Sequence, residues 1–213
     1  MTRHLIAIDG IDGSGKSHLG ERLRQRAGAL LVKVDDFRRP LDWNRPGVDE
    51  DAAYYDDYYD FTGLQAVADA FVQGADRAEL ATFDPVREVR GEPRSLPLAG
   101  HALLVIEGVF VRRIAATAAA TQVWLETSEA EARRRILARD TAKGRTPAEV
   151  ERRIDQRYFP SQRRYQGQFH PRERAHLVVE HETIGQLRVL RSDLHDVPAA
   201  VRAALAAALP DLA

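Results

Sequence analysis

Residues 10–17 read GIDGSGKS and directly follow the apolar run LIAID at 5–9. Three glycines and a lysine–serine pair, set between a strand and a helix, leave few folds open to the chain. Gly10, Gly13 and Gly15 permit positive φ and close backbone approach, so the chain can turn sharply. Successive N–H groups then converge at a helix N-terminus, an arrangement suited to an anion. The spacing is G-x-x-x-x-G-K-[ST], the phosphate-binding loop. The backbone from Gly10 through Asp12, Gly13, Ser14 and Gly15 is expected to cradle the phosphates. Lys16 is expected to contact the β- and γ-phosphates, and the Ser17 hydroxyl to ligate Mg²⁺.

Five short apolar runs lack a polar face and read as buried parallel strands. They are LIAID (5–9), LLVKV (30–34), ALLVIE (102–107), QVWLE (122–126) and HLVVE (176–180). Helical periodicity separates most of them, at 15–27, 61–73, 129–139 and 197–208. Alternating strand and helix predicts an α/β fold, a three-layer sandwich around a five-stranded parallel sheet. The chain reads as one domain over 1–213. Residues about 38–60 form an insertion beside the acceptor, and polar, arginine-rich residues about 140–165 read as a lid.

Composition removes several classes. The formal net charge of -1 gives no global case for nucleic acid or an anionic membrane. With no cysteine there is no disulfide, thiolate metal site or cysteine nucleophile, which fits a cytoplasmic setting. No apolar run reaches the roughly 18 residues that cross a bilayer, and the first run is shorter than a signal peptide's. Residues 133–164 hold 11 Arg or Lys against four acids, but no interleaved aromatic platform for nucleic acid.

The motifs of GTPase switches and of ABC-type ATPases are missing. Instead LLVIEG at 103–108 ends an apolar strand in Glu107, a carboxylate able to hold Mg²⁺ beside the loop. The second strand ends in VDDFRRP at 34–40. Strand C-termini share one edge of such a sheet, so Asp35 and Asp36 lie near the triphosphate. A carboxylate there can accept the proton of an acceptor hydroxyl.

Taken in order, GIDGSGKS, VDDF, FDPVREVR (83–90), VIEG and the arginine-rich RRRILARDTAKGR (133–145) resemble the uridine kinase and phosphoribulokinase family of P-loop kinases. They are also similar to nicotinamide riboside kinases. The resemblance spans about residues 5–180 and implies a P-loop NTPase fold with strand order 2-3-1-4-5. It implies ATP as donor with Mg²⁺, Asp35 as catalytic base and Glu107 as the magnesium-linked acid. Arg135, Arg139 and Arg145 match lid arginines that close on phosphates. Asp57 matches a ribose-binding aspartate, with Asp56 its rival. Phe83, Arg87 and Glu88 fall on the acceptor-reading stretch, where the family carries tyrosine for Phe83 and histidine for Glu88.

The expected reaction is phosphoryl transfer to a hydroxyl of a nucleoside-like molecule. Alternatives are a nucleoside monophosphate kinase, a sugar or vitamin kinase, and a non-catalytic nucleotide-binding regulator. Residues 35–60 contain nine acids against three arginines, which predicts an uncharged, hydroxyl-rich acceptor. Tyr54, Tyr55, Tyr58 and Tyr59 either stack on that acceptor or pack the insertion.

Overall fold

A strand that is apolar on both faces is stable only when both faces are covered. The computed structural model, which describes residues 2–84, 87 and 89–209, meets that requirement with helices on each side of a central sheet. Strand β1 (His4–Asp9) runs through the glycine loop into α1 (Lys16–Ala27), followed by β2 (Leu30–Lys33). A one-turn helix α2 (Glu50–Ala52) widens into a π-type turn at Ala53–Asp57, and α3 (Phe61–Val72) follows. Four short strands come next: β3 (Arg77–Leu80), β4 (Phe83–Asp84), β5 (Val89–Arg90) and β6 (Arg94–Pro97). They form two small antiparallel ladders, β3 with β6 and β4 with β5. The chain then alternates again through β7 (Leu103–Glu107), β8 (Thr121–Glu126) and α4 (Glu129–Thr141). Helices α5 (Pro147–Arg153) and α6 (Phe159–Phe169) are joined by a second π-type turn at Ile154–Tyr158. The last elements are β9 (Leu177–Glu180), β10 (Arg188–Ser192) and α7 (Ala199–Ala208).

The main sheet runs β10-β9-β8-β1-β7-β2. Its five parallel strands, numbered by their order in the chain, give 2-3-1-4-5, as the resemblance implied. The sixth strand, β10, is antiparallel to β9 and was not expected from the sequence. It lies at the edge and is mostly exposed, so it carries no continuous apolar run.

Side chains alternate across the sheet with period two. Leu5 and Ala7 of β1, with Leu104 and Ile106 of β7, face α3 and α6 through Leu64, Val67, Phe71 and Tyr165. Ile6 and Ile8, with Leu103 and Val105, face α1 and α7 through Leu19, Leu23, Val201 and Leu205. A third cluster joins α4 and α5 to the sheet through Ile136, Val150, Ile154, Trp124 and Val178. The segment expected as a polar lid is therefore largely helical, with its apolar positions packed inward. Thr146 caps α5 by accepting the Glu149 N–H at 3.2 Å, and Pro147 takes the first helical turn.

Asp9 ends β1 and is only 3% exposed. Its carboxylate accepts the Gly10 N–H at 2.8 Å and the Tyr165 hydroxyl. Burial nevertheless pushes its pKa up to about 6, the two hydrogen bonds offsetting only part of the desolvation. A folded-state pKa above the unfolded one favours the fold at low pH, and this contribution is lost as pH rises through 6. The shift from 3.8 corresponds to about 3 kcal/mol. We expect the stability of Asp9→Asn relative to the parent to rise by roughly that amount between pH 4 and pH 7. Urea titrations at both pH values would check this, and an offset independent of pH would contradict it.

Candidate active site

The glycine loop sits at the carboxyl edge of the sheet, where β1 lies between β7 and β8. Gly13 has φ 78° and a Cβ there would stand 2.7 Å from the Ala132 carbonyl oxygen. Gly15 has φ 97°, and a Cβ would run into the His181 ring. Gly15 also caps α1 with no side-chain hydrogen bond, leaving the helix N-terminus open to an anion. Lys16 arches back so that Nζ donates to the Gly10 and Ile11 carbonyls at 2.9 and 2.8 Å. Ser14 is fully buried within the loop, so it faces no solvent.

The loop is braced from behind. His181 Nδ1 lies 2.7 Å from the Ser14 carbonyl oxygen. Arg135 donates to the carbonyls of Gly13 at 3.2 Å and His181 at 2.7 Å, and to Glu131 at 2.7 Å. Arg135 was expected to close on phosphates. Its guanidinium lines the cavity above the loop and, with no phosphate present, gives these donors to protein acceptors. His181 was not singled out from the sequence, because a lone histidine after a strand carries no pattern.

Ser17 Oγ donates to Glu107 Oε1 at 2.8 Å, so the two expected metal ligands are adjacent. Glu107 is 4% exposed, and burial raises its pKa despite the nearby Lys16 and Ser17. Hydroxyl and carboxylate oxygens are the donors a hard divalent cation takes. Among the described residues, no group of three or more His, Cys, Asp or Glu is placed to hold a metal alone. The residues present thus fit an ion that shares its remaining ligands with phosphate oxygens and water.

A cavity of about 590 Å³ opens above the loop, lined by Lys16, Ser17, Asp35, Asp36, Glu107 and Arg139 among others. A second, of about 450 Å³, adjoins it and shares Asp12, Asp35, Arg38 and Arg139 with the first. Asp35 and Asp36 occupy a single 3-10 turn, Val34–Phe37, directly after β2. Only Asp35 lines both cavities; Asp36 lines the first, and burial raises its pKa. The turn is tied to residues 58–60 by the Arg39 N–H to Tyr58 oxygen and the Asp60 N–H to Phe37 oxygen, at 2.7 and 2.8 Å.

That tie places Tyr59 against Asp35, with its hydroxyl 3.3 Å from Oδ1. Tyr59 and Tyr54 hydroxyls are 2.9 Å apart, and Tyr54 donates to Asp12 Oδ2 at 3.0 Å. Gln162 Nε2 also donates to that oxygen, at 2.7 Å. Two carboxylates at the cavity junction are thus bridged by two tyrosines. Four residues separate the tyrosines, and both are buried, one within and one just after the wide turn at 53–57. Of the two readings the sequence offered, packing of the insertion holds for Tyr54, Tyr55 and Tyr59, which are buried in the core; the hydroxyl bridge adds to it.

Other expected site residues lie elsewhere. Asp57 is exposed and lines none of these cavities, and Asp56 is exposed and pairs with Arg164 at 3.1 Å. Arg87 is exposed beside Asp84, Phe83 lies under the Arg38 guanidinium at 5.1 Å, and Glu88 falls outside the described residues. Arg139 and Arg145 both reach the buried Asp140, at 2.7 and 3.4 Å. Arg145 lines the second cavity but not the first. Several of the nine acids over 35–60 are held in ion pairs. Glu50 is paired with Arg152 and Arg157, Asp60 with Arg39 and Arg90, and only Asp35 of the nine acids lines the second cavity.

The profile of the AAA domain family AAA_18 matches residues 6–156, most of the chain. No curated protein matches by sequence. A structure described as a possible uridine kinase from Bacillus stearothermophilus superposes with TM-score 0.63 at 19% identity, covering 84% of this chain and 89% of that one. D-glycerate 3-kinase from Cryptococcus neoformans var. grubii superposes with TM-score 0.62 at 13% identity, covering 89% and 90%. At these identities the likeness is one of fold, that of P-loop small-molecule kinases. Among the described residues no helix is long and apolar enough to cross a membrane. Sheet order, loop geometry and profile agree: the chain belongs to the AAA_18 family of P-loop domains.

Proposed function

We propose that the chain transfers the γ-phosphoryl group of ATP to a hydroxyl of a small, nucleoside-like molecule. The observation that carries this reading is Asp35, which lines both the cavity over the phosphate loop and the cavity beside it. A donor in the first and an acceptor in the second would meet at that carboxylate. The acceptor oxygen attacks the γ-phosphorus, the bond to the β-phosphate bridging oxygen breaks, and ADP leaves. Asp35 takes the hydroxyl proton as the new bond forms. Tyr59 and the Tyr54–Asp12 pair hold Asp35 in position from the far side.

Most of the catalysis is positioning and charge stabilisation. Lys16 is placed to swing from the Gly10 and Ile11 carbonyls onto the phosphates. Arg139, at the cavity junction and oriented by Asp140, faces the group in transit. Ser17 and Glu107 would hold Mg²⁺, whose charge would neutralise the phosphate oxygens. The fold neighbours named above support a small-molecule acceptor, since both are described as kinases of such molecules. A nucleotide-binding regulator would have no use for a carboxylate at the junction.

Lys16→Ala should fold normally and lower turnover by about a thousandfold, the scale of a lost transition-state charge contact. Steady-state phosphoryl transfer measures this, and activity within a few fold of the parent contradicts the assignment of the loop. Asp35→Asn should lower kcat roughly 10²-fold or more with ATP affinity little changed. Asp36→Asn, in the same assay, should retain most activity; the reverse ranking of the two variants would move the base by one residue.

A further inference from the structure

The second cavity continues past Asp35 into a third of about 420 Å³. The wall common to the second and third consists of Arg38, Tyr58, Arg145, Arg153 and Arg157. Lys143 joins them on the second cavity, which no asparagine or glutamine lines. A pocket for a neutral polyol or nucleoside needs acceptors and amides for hydroxyls and base edges. The carboxylates Asp12, Asp35 and Asp140 line the second cavity but not the third, whereas on the wall common to both four arginines supply only donors and charge beside the Tyr58 hydroxyl.

Several of these cations are already neutralised. Arg157 is 2% exposed, chelates Glu50 at 2.7 and 3.0 Å and lies over the Trp43 ring, so it is structural. Arg38 donates to the Asp35 carbonyl at 2.8 Å and covers Phe83. The remaining three have donors to spare. Arg145 reaches only Asp140, at 3.4 Å, and Asp140 already holds Arg139 at 2.7 Å. Arg153 pairs with Glu149 at 2.5 Å, yet its buried Nε has no partner among the described residues. Lys143 is exposed and has no ion pair among the described residues. Arg134, Arg135 and Arg139 line the first cavity, whereas Lys143, Arg145 and Arg153 do not. These three are therefore surplus to the triphosphate.

We propose that Lys143, Arg145 and Arg153 form an anion subsite, and that the acceptor carries a carboxylate or phosphate in addition to its reacting hydroxyl. This rests on the reading of Asp35 as the point where donor and acceptor meet. Like cations facing one cavity repel, by about 4 kcal/mol for a pair 4 Å apart at an effective dielectric of 20, and an anion reverses that sign. Arginine forks suit planar or tetrahedral oxyanions, and lysine adds a point charge. Asp12 and Asp35 stay at the transfer end, bonded to tyrosine hydroxyls, where an anionic group would be repelled. The pocket is thus polarised. Its acidic end accepts a hydroxyl, and its basic end accepts an oxyanion.

The test uses calorimetry on the protein saturated with Mg²⁺ and a non-hydrolysable ATP analogue, titrated with matched probes. One pair is D-glycerate against glycerol; the other is ribose 5-phosphate against ribose. The anionic member of at least one pair should bind at least about tenfold more tightly, as a charge-assisted contact provides. Preference in the glycerate pair identifies a carboxylate, and in the ribose pair a phosphate. Lys143→Gln, at an exposed position that folding does not need, and Arg145→Gln should each reduce that preference. Equal binding within both pairs, binding of neither anion, or a preference untouched by both variants overturns the subsite. A parent protein that binds the analogue but favours the neutral probes overturns only this inference. Failure to bind the analogue at all overturns it together with the kinase reading.

Discussion

The site depends on the register between β1 and β7. Ile8 lies opposite Glu107, and the Gly108 N–H donates to the Ile8 carbonyl at 3.1 Å. This pairing sets the end of β7 beside the start of the glycine loop, so that Ser17 on α1 reaches Glu107. β7 also pairs Glu107 with Lys33, which delivers Asp35 two residues later to the same edge. A slip of one residue would turn Glu107 to the opposite face of the sheet and separate all three groups. The apolar side chains that alternate along β1 and β7 oppose such a slip, because it would exchange the faces packed on α3 and α1. Core packing and site geometry are thus fixed by the same pairing.

Charge within the cleft is organised by a few buried or half-buried acids. Asp140, at the end of α4, orients Arg139 toward the junction and Arg145 toward the second cavity. Glu50 neutralises Arg157, which would otherwise be an uncompensated cation 2% exposed. The two π-type turns bring these groups together. Tyr54 of the first and Tyr158 from the second have ring centroids 5.3 Å apart. Insertions of one residue into a helix re-aim side chains without ending the helix, a device that recurs at functional sites.

Much of this was legible in the sequence. The five parallel strands were, because burial on both faces leaves an unbroken apolar run. The loop was, because the phosphate cradle restricts residue type at fixed spacing. The Ser17–Glu107 pair and the position of Asp35 followed from one rule, that parallel strands end on a common edge. β10 was not legible, since an exposed edge strand such as RVLRS shows no such run. The exposure of Asp57 was not legible, because a place in a motif says nothing about which way a π-type turn points a side chain. The pairing of the acids over 35–60 was not legible either. Glu50 and Asp60 are consumed by Arg157 and Arg90, partners far along the chain or across a loop. Local composition therefore did not show that Arg145, Arg153 and Arg157 line the second cavity beside Asp12, Asp35 and Asp140.

The central claim is that one cleft holds the donor phosphates at the loop and presents them to Asp35. A crystal structure with Mg²⁺ and a non-hydrolysable ATP analogue tests it most directly. The account predicts the β- and γ-phosphates within the glycine loop, Lys16 released from Gly10 and Ile11 onto them, and the metal bound by Ser17 with Glu107 beside it. The terminal phosphate should face the junction between Asp35 and Arg139. A nucleotide bound elsewhere, or a terminal phosphate directed away from Asp35, would contradict it.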